Sequence, residues 1–284
     1  MAARLIIDTH HHYQNIPNYP DLLAEEYARL GIAKVCLISP YGEDGIQRLA
    51  DAARRYPDFI LGLARFDWNS HTADDVTRFK DLGMAGVKFI RPPKPYHDQA
   101  YWPVYERCEA LGLPGLFHLG IVGRSAATGV MRAATPEDAR QADYVDSNFM
   151  RPIYLDTLAR LFPTWQIQGA HLGNPWYEEA AMCCRWNPNL YFDLSGSTLK
   201  AKRPEFIADL LWWNRFTRYR DPEGRDAWEK IVFGSDVAYF ETHDVLHDYD
   251  NVFRTLDLSD EIRWAILGGT AARMYGLANE GDAS

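Results

Sequence analysis

Eight short apolar runs, each suited to a buried strand, alternate with amphipathic helical patterns along most of the chain. The runs lie at 4–10, 32–40, 59–67, 84–91, 113–120, 165–173, 190–196 and 230–239. Helical patterns fill the intervals at 21–31, 45–57, 74–83, 101–112 and 154–163, several ending in the Gly or Pro expected just past a helix C-terminus. More follow at 175–186 and 203–216, then at 241–256 and 259–276 after the last run. Eight such units in about 250 residues predict an α/β fold, a (β/α)8 TIM barrel forming one domain over 1–284. A doubly wound open sheet would normally carry a Gly-rich phosphate turn after its first strand, and "DTHHHY" is not one.

A chain of 284 residues with 47% hydrophobic residues can bury the large core such a barrel needs. The opening "MAARLII" is too short an apolar run for a signal peptide, and no stretch approaches the roughly 18 apolar residues of a membrane span, so a soluble, cytoplasmic protein is expected. Cys36, Cys108, Cys183 and Cys184 show no CxxC spacing and read as free buried thiols of a reducing compartment. A net charge of −9 argues against a nucleic-acid surface while leaving room for a local basic pocket. The expected partner is a small-molecule substrate, with neither nucleic acid nor membrane.

In a barrel of this kind chemistry collects where strands end at the C-terminal face, because the βα loops converge there. His10 and His12 close strand 1, Lys88 lies near the end of strand 4, His118 closes strand 5, His171 strand 6 and Asp236 strand 8. Strand side chains alternate with period two, so His10 and His12 share one side and His11 takes the other. The run of three histidines is no expression tag, since it continues an apolar strand and is led by Asp8. Taken singly, each residue has a structural alternative: a hydrogen-bonded core histidine, a capping aspartate, a rim lysine in an ion pair. Four histidines and an aspartate at the ends of barrel strands together point to a divalent-metal site, and imidazole with carboxylate suits Zn²⁺. His71, His97, His243 and His247 fall in loop or helix contexts and read as surface or supporting residues, and "LLWWNRF" at 210–216 as a helix packing on the barrel.

These pieces resemble the amidohydrolase superfamily, specifically its amidohydrolase-2 branch. The matching motifs, in order, are "IDTHHH", "GVKFIRP", "FHLG", "GAHLGNPW", "YFDLSG", "FGSDVAY" and "ILGGTAARMYGL". Thr270 stands where the closing helix of the family often has asparagine, a departure that touches packing more than chemistry. The resemblance implies that His10, His12, His118 and Asp236 ligate one divalent ion, commonly zinc with manganese as the alternative, and that His171 lies beside water or substrate. A bound ion of this kind acidifies water and polarises a carbonyl, with Asp236 as proton acceptor and His171 orienting water or steadying an oxyanion. The implied reaction is hydrolysis of a lactone, ester or amide. The same branch contains nonoxidative decarboxylases and hydratases of aromatic or unsaturated carboxylic acids, but the short chain and the "NPWYEEAAM" after strand 6 favour hydrolysis. A carboxylated substrate would be met by Arg124, Lys88 and Arg91, with Arg132, Arg140 and Lys94 nearby in sequence and 121–150 forming a lid or pocket wall. In binuclear members of the superfamily a strand 4 lysine becomes carboxylated and bridges two metals, which would fall to Lys88 here. A homodimer is compatible with this branch.

Overall fold

The computed structural model of the protein describes residues 5–123, 145–212 and 220–277. Eight parallel strands follow one another in sequence order: β1 (Ile6–His12), β2 (Ile32–Ile38), β3 (Ile60–Arg65), β4 (Gly86–Phe89), β5 (Gly115–Phe117), β6 (Ile167–Gly169), β7 (Leu190–Asp193) and β8 (Ile231–Val232). The sheet curls until its last strand end meets its first. Thr9 N–H donates to the Phe233 carbonyl (2.9 Å) and Asp236 N–H to the His10 carbonyl (2.8 Å), so β1 and β8 are joined beyond the formal end of β8. The result is the expected (β/α)8 barrel in a single domain.

Helices α1 (Tyr19–Leu30), α2 (Glu43–Arg55), α3 (Ala73–Asp81), α4 (Trp102–Ala110), α5 (Ile153–Leu161), α6 (Tyr177–Trp186), α7 (Ser197–Ala201), α8 (Pro204–Leu211) and α9 (Thr242–Thr255) return the chain between strands or cover the last one. Their ends follow the local chemistry. Pro20 sits in the first turn of α1 and Gly31, at φ 73°, ends it, because only glycine reaches that left-handed turn without steric cost. Thr72 and Asp75 form a capping box that starts α3. The β4–β6 side of the barrel is sealed by an aromatic cluster of Phe89, Tyr105, Phe117 and Trp165, with the Trp165 indole N–H donating to the Leu113 carbonyl (2.7 Å).

The strands are shorter than the apolar runs, because barrel pairing stops where side chains must turn into the mouth. The run at 165–173 pairs only over Ile167–Gly169, then bends through a tight turn at Ala170–Gly173; the run at 230–239 pairs only at Ile231–Val232. The closing pattern at 259–276 is one helical path of three parts: α10 (Asp260–Trp264), a π-helical turn at Ala265–Gly269 and α11 (Thr270–Met274). The wider turn brings the Ile266 carbonyl to the Phe233 N–H (2.8 Å). Thr270 is fully buried and its hydroxyl donates to the Glu229 carbonyl (2.6 Å). Cys36, Cys108, Cys183 and Cys184 are free and buried. No helix among the described residues is long and apolar enough to cross a membrane.

Candidate metal centre

The period-two reading of β1 describes the observed side chains. His10 and His12 both face Asp236, with Nε2 atoms 3.8 and 3.3 Å from its Oδ1. His11 lies behind the strand, where its ring contacts the Ser235 hydroxyl (2.8 Å) and the Tyr19 and Tyr27 hydroxyls (2.5 and 2.9 Å). Tyr27 donates to Asp8 Oδ2, while Asp8 Oδ1 accepts from the backbone N–H groups of His10 and Ser235. This buried network ties β1 to the start of the Asp236 turn.

His171 reaches the same point from β6, its Nε2 3.7 Å from Asp236 Oδ2. It does so from a left-handed backbone at φ 61°, followed by Leu172 at 45°; Asp236 at 48° and Arg91 at 54° are bent similarly at other strand ends. Non-glycine residues adopt this region at a cost, and its recurrence around one mouth marks a place where side-chain aim outweighs backbone ease. His118 follows β5, and its ring lies 5.1 Å from that of His171. Lys88 is fully buried in β4 with Nζ 3.2 Å from His10 Nε2, and burial pushes its pKa down to about 7.

Among the described residues one group of donors comes close enough to share a metal ion, one atom each from His10, His171 and Asp236 within 4.8 Å of one another; His12, which reaches Asp236, and His118, beside His171, stand outside that group. Zinc–nitrogen and zinc–oxygen bonds of 2.0–2.1 Å imply donor separations of roughly 3.3–3.4 Å in a tetrahedron. The separations of 3.3–3.8 Å around Asp236 are near that spacing and too long for good hydrogen bonds. Ring protons add a second test. His10 Nδ1 meets Asp193 Oδ2 (3.1 Å) and His171 Nδ1 meets the Ser195 hydroxyl (2.9 Å), so the lone pair of each ring sits on Nε2, free on His171 and on His10 facing Lys88 Nζ (3.2 Å), which a cation would displace. His118 Nε2 is buried with no hydrogen-bond partner. His12 differs, because its Nδ1 accepts from Arg65 Nη2 (3.0 Å), and a guanidinium can only donate. Neutral His12 therefore carries its proton on Nε2, and holding a metal through that atom requires Arg65 to release the ring. The trio of His10, His171 and Asp236 fits a divalent ion, with His118 and His12 at its edge.

Electrostatics favour neutral imidazoles. Burial pushes the pKa values of His12 and His118 well below the ordinary histidine value, helped by Arg65 beside His12 and by His171 beside His118. Burial also lowers that of His171, against the pull of Asp193 and Asp236.

Asp193, at the end of β7, is the residue on which this arrangement turns, and sequence reading gave it no role. Its Oδ2 contacts His10 Nδ1 and accepts from Gln168 Nε2 (2.9 Å); its Oδ1 accepts from the N–H groups of His171 (3.0 Å) and Ser195 (3.1 Å) and from the Ser195 hydroxyl (2.5 Å). Burial alone would raise its pKa, but the His10 and His171 rings and the Ser195 hydroxyl hold the carboxyl well below the usual carboxylate range. Arg65, at the end of β3, was missed too. The signal for both was a charged residue closing an apolar run, in "YFDLSG" and "LARFD". Arg124, Arg132 and Arg140 lie outside the described residues, as does most of the 121–150 segment. Lys94 pairs with Asp98 (3.5 Å). A cavity of about 420 Å³ opens at the other end of the barrel beside Pro114, Gln166 and Tyr191 and contains none of these strand-end groups.

A (β/α)8 barrel whose histidines and carboxylates converge at its C-terminal mouth is a scaffold built to hold a metal ion. The chain belongs to the amidohydrolase family described as Amidohydrolase (Amidohydro_2), which it matches over residues 7–277. No curated protein sequence matches it. Solved structures similar to it include an uncharacterised TIM-barrel protein from Bordetella bronchiseptica, at 18% identity and TM-score 0.67 over 96% of this chain and 98% of that one. Another is 5-carboxyvanillate decarboxylase from Novosphingobium aromaticivorans, complexed with manganese and 4-hydroxy-3-methoxy-5-nitrobenzoic acid (14% identity, TM-score 0.61, 96% of each chain). A third is a probable 2-pyrone-4,6-dicarboxylic acid hydrolase from Acinetobacter baumannii with citric acid bound (14% identity, TM-score 0.60, 95% of this chain and 99% of that one). At these identities the likeness speaks for the fold, and the family match places the chain among the amidohydrolases.

Proposed function

We propose that the chain is a metal-dependent hydrolase of a small carboxylated lactone, ester or amide. The observation that carries this reading is the Asp236 carboxylate, set 3.3–3.8 Å from the Nε2 atoms of His10, His12 and His171 at the barrel mouth. His10, His12, His118 and Asp236 would hold one divalent ion, zinc by donor chemistry, with manganese the alternative. Bound there, such an ion supplies Lewis acidity toward a carbonyl oxygen and toward water. Asp236 takes up the proton lost by water and returns it to the leaving group. His171, fixed by Ser195 through Nδ1, presents Nε2 to water or to the developing oxyanion. Lys88 and Arg91 supply positive charge beside the substrate, and Arg124 is assigned the same role from sequence alone. Lys88, 3.2 Å from His10 Nε2, is the residue that carboxylation would turn into a bridge in a binuclear form, and a stoichiometry of two is the outcome that would select it. The four buried free thiols support a reducing compartment, the cytoplasm.

The alternative is nonoxidative decarboxylation, or hydration, of an aromatic or unsaturated acid, favoured by the likeness to 5-carboxyvanillate decarboxylase. Labelling separates the two main reactions. In ¹⁸O-water, hydrolysis puts solvent oxygen into a product carboxylate, and a panel of carboxylated lactones, esters and amides should yield at least one labelled acid. Release of CO2 from an aromatic acid with no solvent oxygen retained, and no turnover of the panel, would replace the hydrolase by the decarboxylase.

A further inference from the structure

Several arginines among the described residues pair with a carboxylate. Arg55, Arg78, Arg151 and Arg225 each pair with an aspartate or glutamate. Arg65 does not. As the last residue of β3 it donates from Nε to the Ser39 carbonyl (3.3 Å) and from Nη2 to His12 Nδ1 (3.0 Å), while its guanidinium carbon lies 4.0 Å from the centre of the Tyr41 ring. These neighbours are all uncharged, and no described carboxylate stands within 4 Å of it. Tyr41 is 67% exposed, so this wall borders solvent.

Arg91 adds a second unpaired guanidinium. Arg65 is in register with Lys88 on the neighbouring strand, and Arg91 stands three residues beyond Lys88, at φ 54°. Its Nε is buried without a hydrogen-bond partner, and it makes no ion pair among the described residues. The two arginines are close enough for the charge of Arg91 to bear on Arg65. Neither nearby carboxylate forms an ion pair with them: Asp193 is consumed by His10, His171, Ser195 and Gln168, and Asp236, whose charge bears on Arg65 from a distance, faces the histidines. A half-buried guanidinium pair without an ion-pair partner is costly, and a planar fork of N–H donors matches a carboxylate.

We propose that Arg65 and Arg91 together clamp a carboxylate that the substrate carries in addition to its reacting group, on the β3–β4 side of the mouth beside His12. The word substrate rests on the hydrolase reading above; the anion site itself does not. For hydrolysis, the lactone, ester or amide then bears a spectator carboxylate next to Arg65. For decarboxylation, the substrate needs a second anionic group besides the one lost as CO2.

Calorimetric titration of the metal-loaded protein with isophthalate and glutarate, against the neutral isophthalamide and glutaramide, tests this without turnover. At least one diacid should bind, and its diamide should bind about 10–100-fold more weakly, the scale of a charge-assisted hydrogen bond. Arg65→Met and Arg91→Met should each weaken the diacid by a similar factor and leave the diamide unchanged. Arg65→Gln keeps beside Ser39 a polar amide whose oxygen can accept from His12 Nδ1 in the metal-loaded state, but loses the charge, and should lose the diacid while retaining metal. A merely structural Arg65 would instead change metal content or melting temperature and leave the diacid-to-diamide ratio alone, which overturns the proposal. So does failure of both diacids to bind below about 10 mM. A protein that binds diacid through Arg65 yet turns over no lactone, ester, amide or acid keeps this site and refutes the proposed reaction.

Discussion

Replacing Asp193 by asparagine keeps the shape of the side chain and removes its charge at the point where two histidines are aimed. Its Oδ1 takes three donors, from His171, Ser195 N–H and the Ser195 hydroxyl, so the asparagine oxygen will settle there and its NH2 will face His10. Nδ1 of His10, 3.1 Å away, must then accept rather than donate, which moves the ring proton to Nε2 and spends the lone pair needed for metal. Losing such a carboxylate partner typically costs about 10–100-fold in metal affinity, or roughly 1.4–2.7 kcal/mol. Competition of Asp193→Asn with a chromophoric zinc chelator should show that weakening, while circular dichroism of the metal-stripped protein keeps its wild-type form. Wild-type zinc affinity in this variant would refute the claim that Asp193 fixes the His10 proton.

Three further outcomes follow from the same geometry. His171→Asn should retain metal and lose on the order of a hundredfold in kcat if the ring acts on water or substrate, and loss of metal would make it a ligand. In the metal-stripped protein, His11, His12, His118 and His171 have folded pKa values lowered by burial, so their neutral forms are favoured in the fold. Their contribution is intact above the unfolded value near 6.5 and declines as pH falls below it, by up to about 1.4 kcal/mol per pH unit for each histidine protonated only on unfolding; urea midpoints unchanged between pH 7 and 5 would contradict this. Gly268→Ala should destabilise the fold by several kcal/mol, of the order of about 3 or more, because its Cβ would stand 1.9 Å from the Leu5 carbonyl oxygen; a melting temperature within 2–3 °C of wild type, roughly 1 kcal/mol, would show that the closing helix can move away.

Much of this was legible in the sequence because barrels repeat. The alternation of apolar runs and amphipathic helices located the start of each of the eight strands within two residues, though not their ends, and the spacing of His10 and His12 in an alternating strand put both rings on one side. What the sequence did not show is how the donors are held. Asp193 looks like one more polar residue ending a strand, and its importance lies in bonds to His10 and His171, 183 and 22 residues away. Arg65 is invisible for the same reason, since its contact with His12 spans 53 residues. The left-handed turns at His171 and Asp236 were equally hidden, because neither residue type asks for such a backbone; packing at the mouth imposes it. The π-helical turn before Thr270 reads as ordinary helix by periodicity, and the Phe233 N–H it satisfies is what calls for the wider turn.

The claim underlying all of these is that His10, His12, His118 and Asp236 hold one divalent ion. Elemental analysis of protein purified without chelator measures it directly. The account predicts close to one zinc or manganese per chain, falling sharply in both His12→Ala and Asp236→Ala while the stripped proteins remain folded. A folded wild-type chain that carries no divalent metal, and takes up neither zinc nor manganese when they are supplied, would contradict it.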